Sequence, residues 1–155
     1  MKWLKIALPV VLVVALVLIV AAPIGPVPGL FIGGTSTAPP STWSDTSDVH
    51  EIKLKVPGAL PRVVIIWVIE HGGDLFVVGS RDSGWVRMIG EGSPVEMRLG
   101  DDTYALRATP VTAGWQPILE AYVAKYEPDY PDIVAGFPSL DEAEGRVAVF
   151  RLDRG

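Results

Sequence analysis

The feature that most constrains the fold is a set of extended segments joined by very short turns. EIKLKV over 51–56 alternates, with Ile52, Leu54 and Val56 on one face and Glu51, Lys53 and Lys55 on the other. RVVIIWVIE over 62–70 is nearly continuous and β-branched, and HGGD (71–74) returns the chain into LFVVGS (75–80). A period of two with one apolar face marks a half-buried strand, and an unbroken apolar run marks a strand covered on both faces. Two glycines between such segments read as a hairpin turn, because glycine takes positive φ at little cost. The arrangement recurs as PVEMRLG (94–100), a turn at Asp101–Asp102, and TYALRATPVT (103–112); RVAVFRLD (146–153) is a further alternating segment. Hairpin-joined strands lie antiparallel. An open sheet of six would leave bare edges, so closure into a small barrel is expected.

The period changes in GWQPILEAYVAKYE (114–127). Trp115, Ile118, Leu119, Tyr122, Val123 and Tyr126 recur every three or four residues, which predicts an amphipathic helix packed on the barrel or capping one of its openings. A shorter helical turn is expected around Trp85, giving the order β-β-β-(short helix)-β-β-α-β. Trp67, within the apolar run, is expected in the core.

The N-terminal part reads differently. Ile6–Ala22 is an uncharged run of 17 residues, about 25 Å long as a helix at ~1.5 Å per residue and near the minimum for a bilayer. Lys2 and Lys5 precede it and no basic residue follows until Lys53. This bias predicts a single-pass anchor over 1–22 with the N-terminus cytoplasmic and the remaining chain extracytoplasmic, in the periplasm. The competing reading is a cleaved signal peptide ending at Val20-Ala21-Ala22, which Pro23 would obstruct. Residues 23–48, rich in Pro, Gly, Ser and Thr, read as an extended linker in which Trp43 docks back on the domain at 49–155.

Composition removes several function classes. With Lys2 and Lys5 set aside, 11 basic residues face 18 acidic ones, a net of −7. A surface of that sign does not neutralise phosphates, so nucleic acid is excluded as a partner. The chain has no cysteine, hence no disulfide, thiolate metal site or cysteine nucleophile. His50 and His71 lack metal-ligand spacing, and GDDT (100–103) reads as a turn, so no metal is expected. DEAE (141–144) reads as a solvated turn or helix N-terminus. Tyr104, Tyr122, Tyr126 and Tyr130 are each able to offer a proton, and the sequence singles out none of them.

The segment DLFVVGSRDSGWVRMIGEGSPVEMRLGDDTYALRATPVT (74–112) resembles the flavin-type split-barrel superfamily, nearest to the deazaflavin-dependent nitroreductase-like proteins, with pyridoxamine-phosphate-oxidase-like proteins as cousins. The likeness is carried by a strand ending in Ser80, a Trp-led helical turn at Trp85, a Pro94-Val95 strand start and the hairpin that follows, over about residues 50–152. It implies a mainly β, six-stranded antiparallel split barrel with one amphipathic helix, forming a homodimer and holding FMN or deazaflavin F420. It implicates Ser80, Arg81 and Ser83 as phosphate ligands, Arg87 as a second cation and Trp85 as a packing or stacking residue. Arg62 is a candidate for the basic strand residue that many members use. The chain departs from the family in having only RDSG between Ser80 and Trp85, and Met88-Ile89 where an Asn-Leu pair is usual. The function expected is therefore a membrane-anchored flavin- or deazaflavin-dependent oxidoreductase, its catalytic residue unassigned. The alternative is a non-catalytic extracytoplasmic module that binds an apolar or haem-like small molecule or a protein partner.

Overall fold

The computed structural model describes residues 10–15 and 28–154. The elements are β1 (Thr35–Thr37), β2 (Glu51–Val56), β3 (Arg62–His71), β4 (Asp74–Ser80), α1 (Gly84–Ile89), β5 (Ser93–Leu99), β6 (Asp102–Pro110), α2 (Gln116–Tyr126), α3 (Pro131–Val134), α4 (Leu140–Ala143) and β7 (Val147–Asp153). The sheet runs β1-β6-β5-β2-β3-β4-β7, and antiparallel pairing of β6 with β7 closes β2–β7 into a six-stranded barrel.

Local chemistry sets the hairpins. His71 pairs with Asp74, so Gly72 and Gly73 form a two-residue turn with φ of 63° and 87°. Those positive values match the right-handed twist of the flanking strands and suit glycine. The β5–β6 turn is Gly100–Asp101, one residue earlier than expected, because Leu99 already pairs with Asp102.

Alternation divides the apolar residues between two cores. Leu54, Leu75, Val77, Met97, Leu106, Phe150 and Leu152 point into the barrel. Phe76 and Val149 point outward from β4 and β7 and, with Ile69, meet Ile118, Leu119, Tyr122 and Tyr126 of α2. The helix thus packs on the wall and leaves the barrel ends to other residues. Trp85, Val86 and Ile89 of α1 fill one end. Trp43 fills the other, 8% exposed, its ring 5.2 Å edge-on from Tyr104 and 5.2 Å from the Arg154 guanidinium. Trp67, expected in the core, is only half-buried: the strand face it occupies is covered by the α2 side alone, where it stacks at 4.1 Å on Tyr126.

The segment read as a linker is built onto the barrel from residue 28 onward. Gly29 exchanges two backbone hydrogen bonds with Val63, of 2.9 and 2.7 Å, and β1 pairs in parallel with Asp102–Tyr104. Two small helices, α3 and α4, also appear where one helix was expected; α4 is opened by a capping box between Ser139 and Glu142. The anchor expected over 1–22 lies outside the described residues except for 10–15, which are helical, and among the described residues no helix is long and apolar enough to cross a membrane.

One join ties these parts together. The β2–β3 ladder runs to Glu51–Trp67, so the next pair would be His50–Val68. There the Tyr126 hydroxyl enters instead: it accepts from the Val68 N–H at 3.0 Å and lies 2.7 Å from the carbonyls of His50 and Val68, one of which receives its proton. Beside it the Lys125 ammonium donates to the carbonyls of Thr46, Val49 and Val68 at 2.9, 2.8 and 3.0 Å. Burial lowers the Lys125 pKa and nearby Asp45 counters this; three carbonyl acceptors show that the ammonium is the form held.

Replacing Tyr126 with Phe keeps the ring and removes the hydroxyl. It is expected to lower the unfolding free energy by about 1–3 kcal/mol, since buried backbone groups lose their partner. Urea denaturation of Tyr126→Phe measures this, and an unchanged midpoint would contradict the wedge.

Candidate functional site

The turn between β4 and α1 is internally bonded. Ser83 Oγ donates to the Ser80 carbonyl at 2.8 Å, and the Asp82 N–H donates to Ser80 Oγ at 3.3 Å. Arg81 donates from its backbone N–H to the Arg146 carbonyl at 2.9 Å and from Nε to the Val147 carbonyl at 3.2 Å. Ser80, Arg81 and Arg87 are exposed and Ser83 is half-buried. The Arg87 side chain makes no hydrogen bond or ion pair among the described residues. The turn therefore offers a phosphate two surface guanidiniums and the proton of the Ser80 hydroxyl, while the Ser83 hydroxyl already donates to the Ser80 carbonyl. Arg62 lies over the start of α1, where a Cβ on Gly84 would fall 2.5 Å from its Nη1.

Trp85 belongs to the barrel core. It is 8% exposed, packs against Phe150 with ring centres 6.0 Å apart, and sits so close to Gly79 that a Cβ there would fall 2.3 Å from the indole. Of Arg62, Ser80, Arg81, Ser83, Trp85 and Arg87, Ser80 alone lines the cavity described next.

That cavity, about 310 Å³, lies between the outer face of β4 and β7 and the helix α2, closed by Phe137 and Pro138. Apolar walls come from Val78, Leu119, Val123 and Val147; polar groups come from Ser80, Tyr122 and Arg146. Tyr122 is 6% exposed, and burial, with a smaller contribution from Tyr126, raises its phenol well above the ordinary value. It stays a neutral proton donor, and its hydroxyl has no hydrogen-bond partner among the described residues. The Arg146 side chain is likewise without a hydrogen bond or ion pair among them, and it stands at the exposed rim. The cavity is about twice the ~150 Å³ that holds one benzene ring. Its chemistry suits a flat, mostly apolar molecule with one acidic or strongly polar group, the usual composition of small-molecule sites.

The sequence named Tyr122 only as one of four tyrosines, and Arg146 went unmarked. The two are far apart in the chain, and only the packing of α2 on the wall joins them to Ser80. A weak signal was present: Tyr122 is a polar-tipped residue at the centre of the apolar face of α2.

No protein-family model matches the chain, and no curated protein matches it. Among solved structures it is similar to the FAD and heme binding protein from Mycobacterium smegmatis, with a TM-score of 0.51 and 15% identity over 70% of this chain and 62% of that one. The chain thus spans less than two thirds of that protein. Similar too are HutZ, the heme storage protein from Vibrio cholerae (TM-score 0.49, 15% identity, 70% of this chain and 84% of that one), and an F420 reductase (0.45, 17%, 76% and 96%). The likeness to the mycobacterial protein shows the fold: a split β-barrel, as the strand order and closure describe it. Identities this low carry the architecture and leave the chemistry to the residues themselves.

Burial raises the pKa of both Tyr122 and Tyr126 above an unfolded value near ~10. Their contribution to stability is present below that value and is lost as pH rises from there towards the folded pKa. Ultraviolet titration is expected to show two of the four tyrosines ionising only together with loss of near-ultraviolet dichroism, and Tyr122→Phe is expected to reduce that late phase by half.

Proposed function

We propose that the chain is a membrane-anchored split-barrel protein, its domain extracytoplasmic, that binds a small planar ligand in the cavity between β4, β7 and α2. The observation that carries this reading is the convergence of three polar side chains, Ser80, Tyr122 and Arg146, on an otherwise apolar cavity. Arg146 would pair with an acidic group of the ligand, and Tyr122 would donate a hydrogen bond to it from the cavity wall. The apolar walls would supply most of the affinity. The anchor rests on the uncharged run at 6–22 and on the placement of basic residues.

A second reading keeps the oxidoreductase. It is favoured by the split-barrel fold and by the exposed guanidiniums of Arg81, bonded to the Val147 carbonyl next to the cavity, and of Arg87 on α1. In it, Ser80, Arg81, Ser83 and Arg87 would hold the phosphate of FMN or of deazaflavin F420, in a homodimer as the family resemblance implies. The cofactor, when bound, would supply hydride transfer, and the chain would hold and shield it.

Titration of the purified full-length protein with FMN, FAD, deazaflavin and haem, followed by absorbance and by quenching of tryptophan fluorescence, tests both. The first reading expects Arg146→Ala and Tyr122→Phe each to weaken binding about tenfold or more, the equivalent of one charge-assisted or buried hydrogen bond, while Arg81→Ala with Arg87→Ala changes little. The second expects the reverse order. Should none of the four probes bind at micromolar concentration, the oxidoreductase reading falls.

A further inference from the structure

The two most exposed large apolar side chains among the described residues are Leu60, at 75%, and Phe31, at 70%. They are neighbours by construction. Gly29 and Val63 form an antiparallel bridge, so the residues after Gly29 run opposite those before Val63. Continued one and two residues, that register sets Leu30 opposite Arg62 and Phe31 opposite Pro61, the residue after Leu60. Two shallow hollows on the same wall share Lys55, Glu96 and Ala105; Leu30 and Phe31 line one, Pro57 and Pro61 the other. In the ring of strands, β2 and β5 lie opposite β7 and β4, so this wall faces away from α2 and its cavity.

The chain's own connectivity points to the occupant. Only five residues lie between Ala22, the last of the uncharged run, and Pro28 at the base of this patch, six Cα steps in all. At no more than ~3.3–3.6 Å per residue they span at most about 20 Å. A barrel held on so short a leash lies against whatever surface the run enters, and the wall next to the leash is the one that carries Phe31 and Leu60. Large apolar side chains beside cationic ones are the usual composition of surfaces that rest in the boundary between headgroups and acyl chains; here Lys53 of β2 is the cation, Lys55 being paired with Glu96 at 2.8 Å.

We propose that the Leu30–Phe31 strap and the Leu60 loop form a lipid-contacting face, with the domain lying on the bilayer by its β2–β5 wall and the α2 cavity turned to the aqueous side. This rests on the anchored reading given above and adds to it an orientation and a contact surface. The partner is the lipid surface itself; a second copy of the chain is the alternative that the test must exclude.

The chain has no cysteine, so Phe31→Cys, Leu60→Cys and, as a control on the exposed side of α2, Glu120→Cys each give a single labelling site. The full chain carrying a nitroxide at each position is reconstituted in vesicles of phosphatidylethanolamine and phosphatidylglycerol. Relaxation by oxygen is then compared with relaxation by a water-soluble nickel complex. The expected result is a shift of positions 31 and 60 towards oxygen and away from nickel, with position 120 fully open to nickel. Labels at 31 and 60 as open to nickel as 120, in a chain that resists carbonate extraction, would overturn the contact face and leave the anchor standing. Dipolar broadening between copies at position 31, without the oxygen shift, would overturn it in favour of a dimer. Release of the chain by carbonate would overturn the anchor and the face together.

Discussion

The insertion of the Tyr126 hydroxyl and the Lys125 ammonium at Val68 governs how the parts of this protein sit. A ladder of backbone hydrogen bonds between β2 and β3 would otherwise continue through His50. By occupying the donors and acceptors there, two adjacent side chains of α2 end the ladder without leaving buried groups unpaired. The same contacts fix the helix to the barrel wall and pin residues 46–50. That pinning sets the approach of Trp43 to the barrel end. The position of the cavity follows, since its inner wall is the strand face and its outer wall the helix that Tyr126 holds. Stacking of Trp67 on Tyr126 braces the wedge from the other side.

The interior of the barrel is filled along its length. Trp85 seals one end and Trp43 the other, and between them Leu54, Leu75, Met97 and Val77 are fully enclosed. Gly79 shows how tight the fit is, since any side chain there would meet the Trp85 indole. Among the described residues the barrel interior is filled by side chains, and the hollows lie on its outer surface: the one between β4, β7 and α2, and shallower ones on the β2–β5 wall.

The strands were legible because each has one wet and one dry face, and residues such as Ile52, Leu54 and Val56 record that period locally. The hairpin at Gly72–Gly73 was legible for the same reason: its chemistry is complete within four residues. What escaped was non-local. The Pro- and Gly-rich stretch from residue 28 has no period, so its pairing with β3 and β6 left no trace in the sequence. At the site, Ser80 was marked because it ends a strand before a Trp-led turn. Arg146 and Tyr122 were not singled out because what makes them notable, convergence on one hollow, exists only after the helix has docked. Trp85, expected as a packing or stacking residue, packs in the barrel core because α1 turns it inward.

The stitching of the segment from Pro28 to Thr37 has a mechanical side. Gly29 is bonded to Val63 and Thr35 to the Asp101 carbonyl, so tension arriving from the N-terminal direction meets two sets of backbone bonds in series before it can reach Trp43. Load is shed onto β3 first and onto the β5–β6 hairpin second. The plug at the barrel mouth is in this way insulated from a pull applied at Pro28.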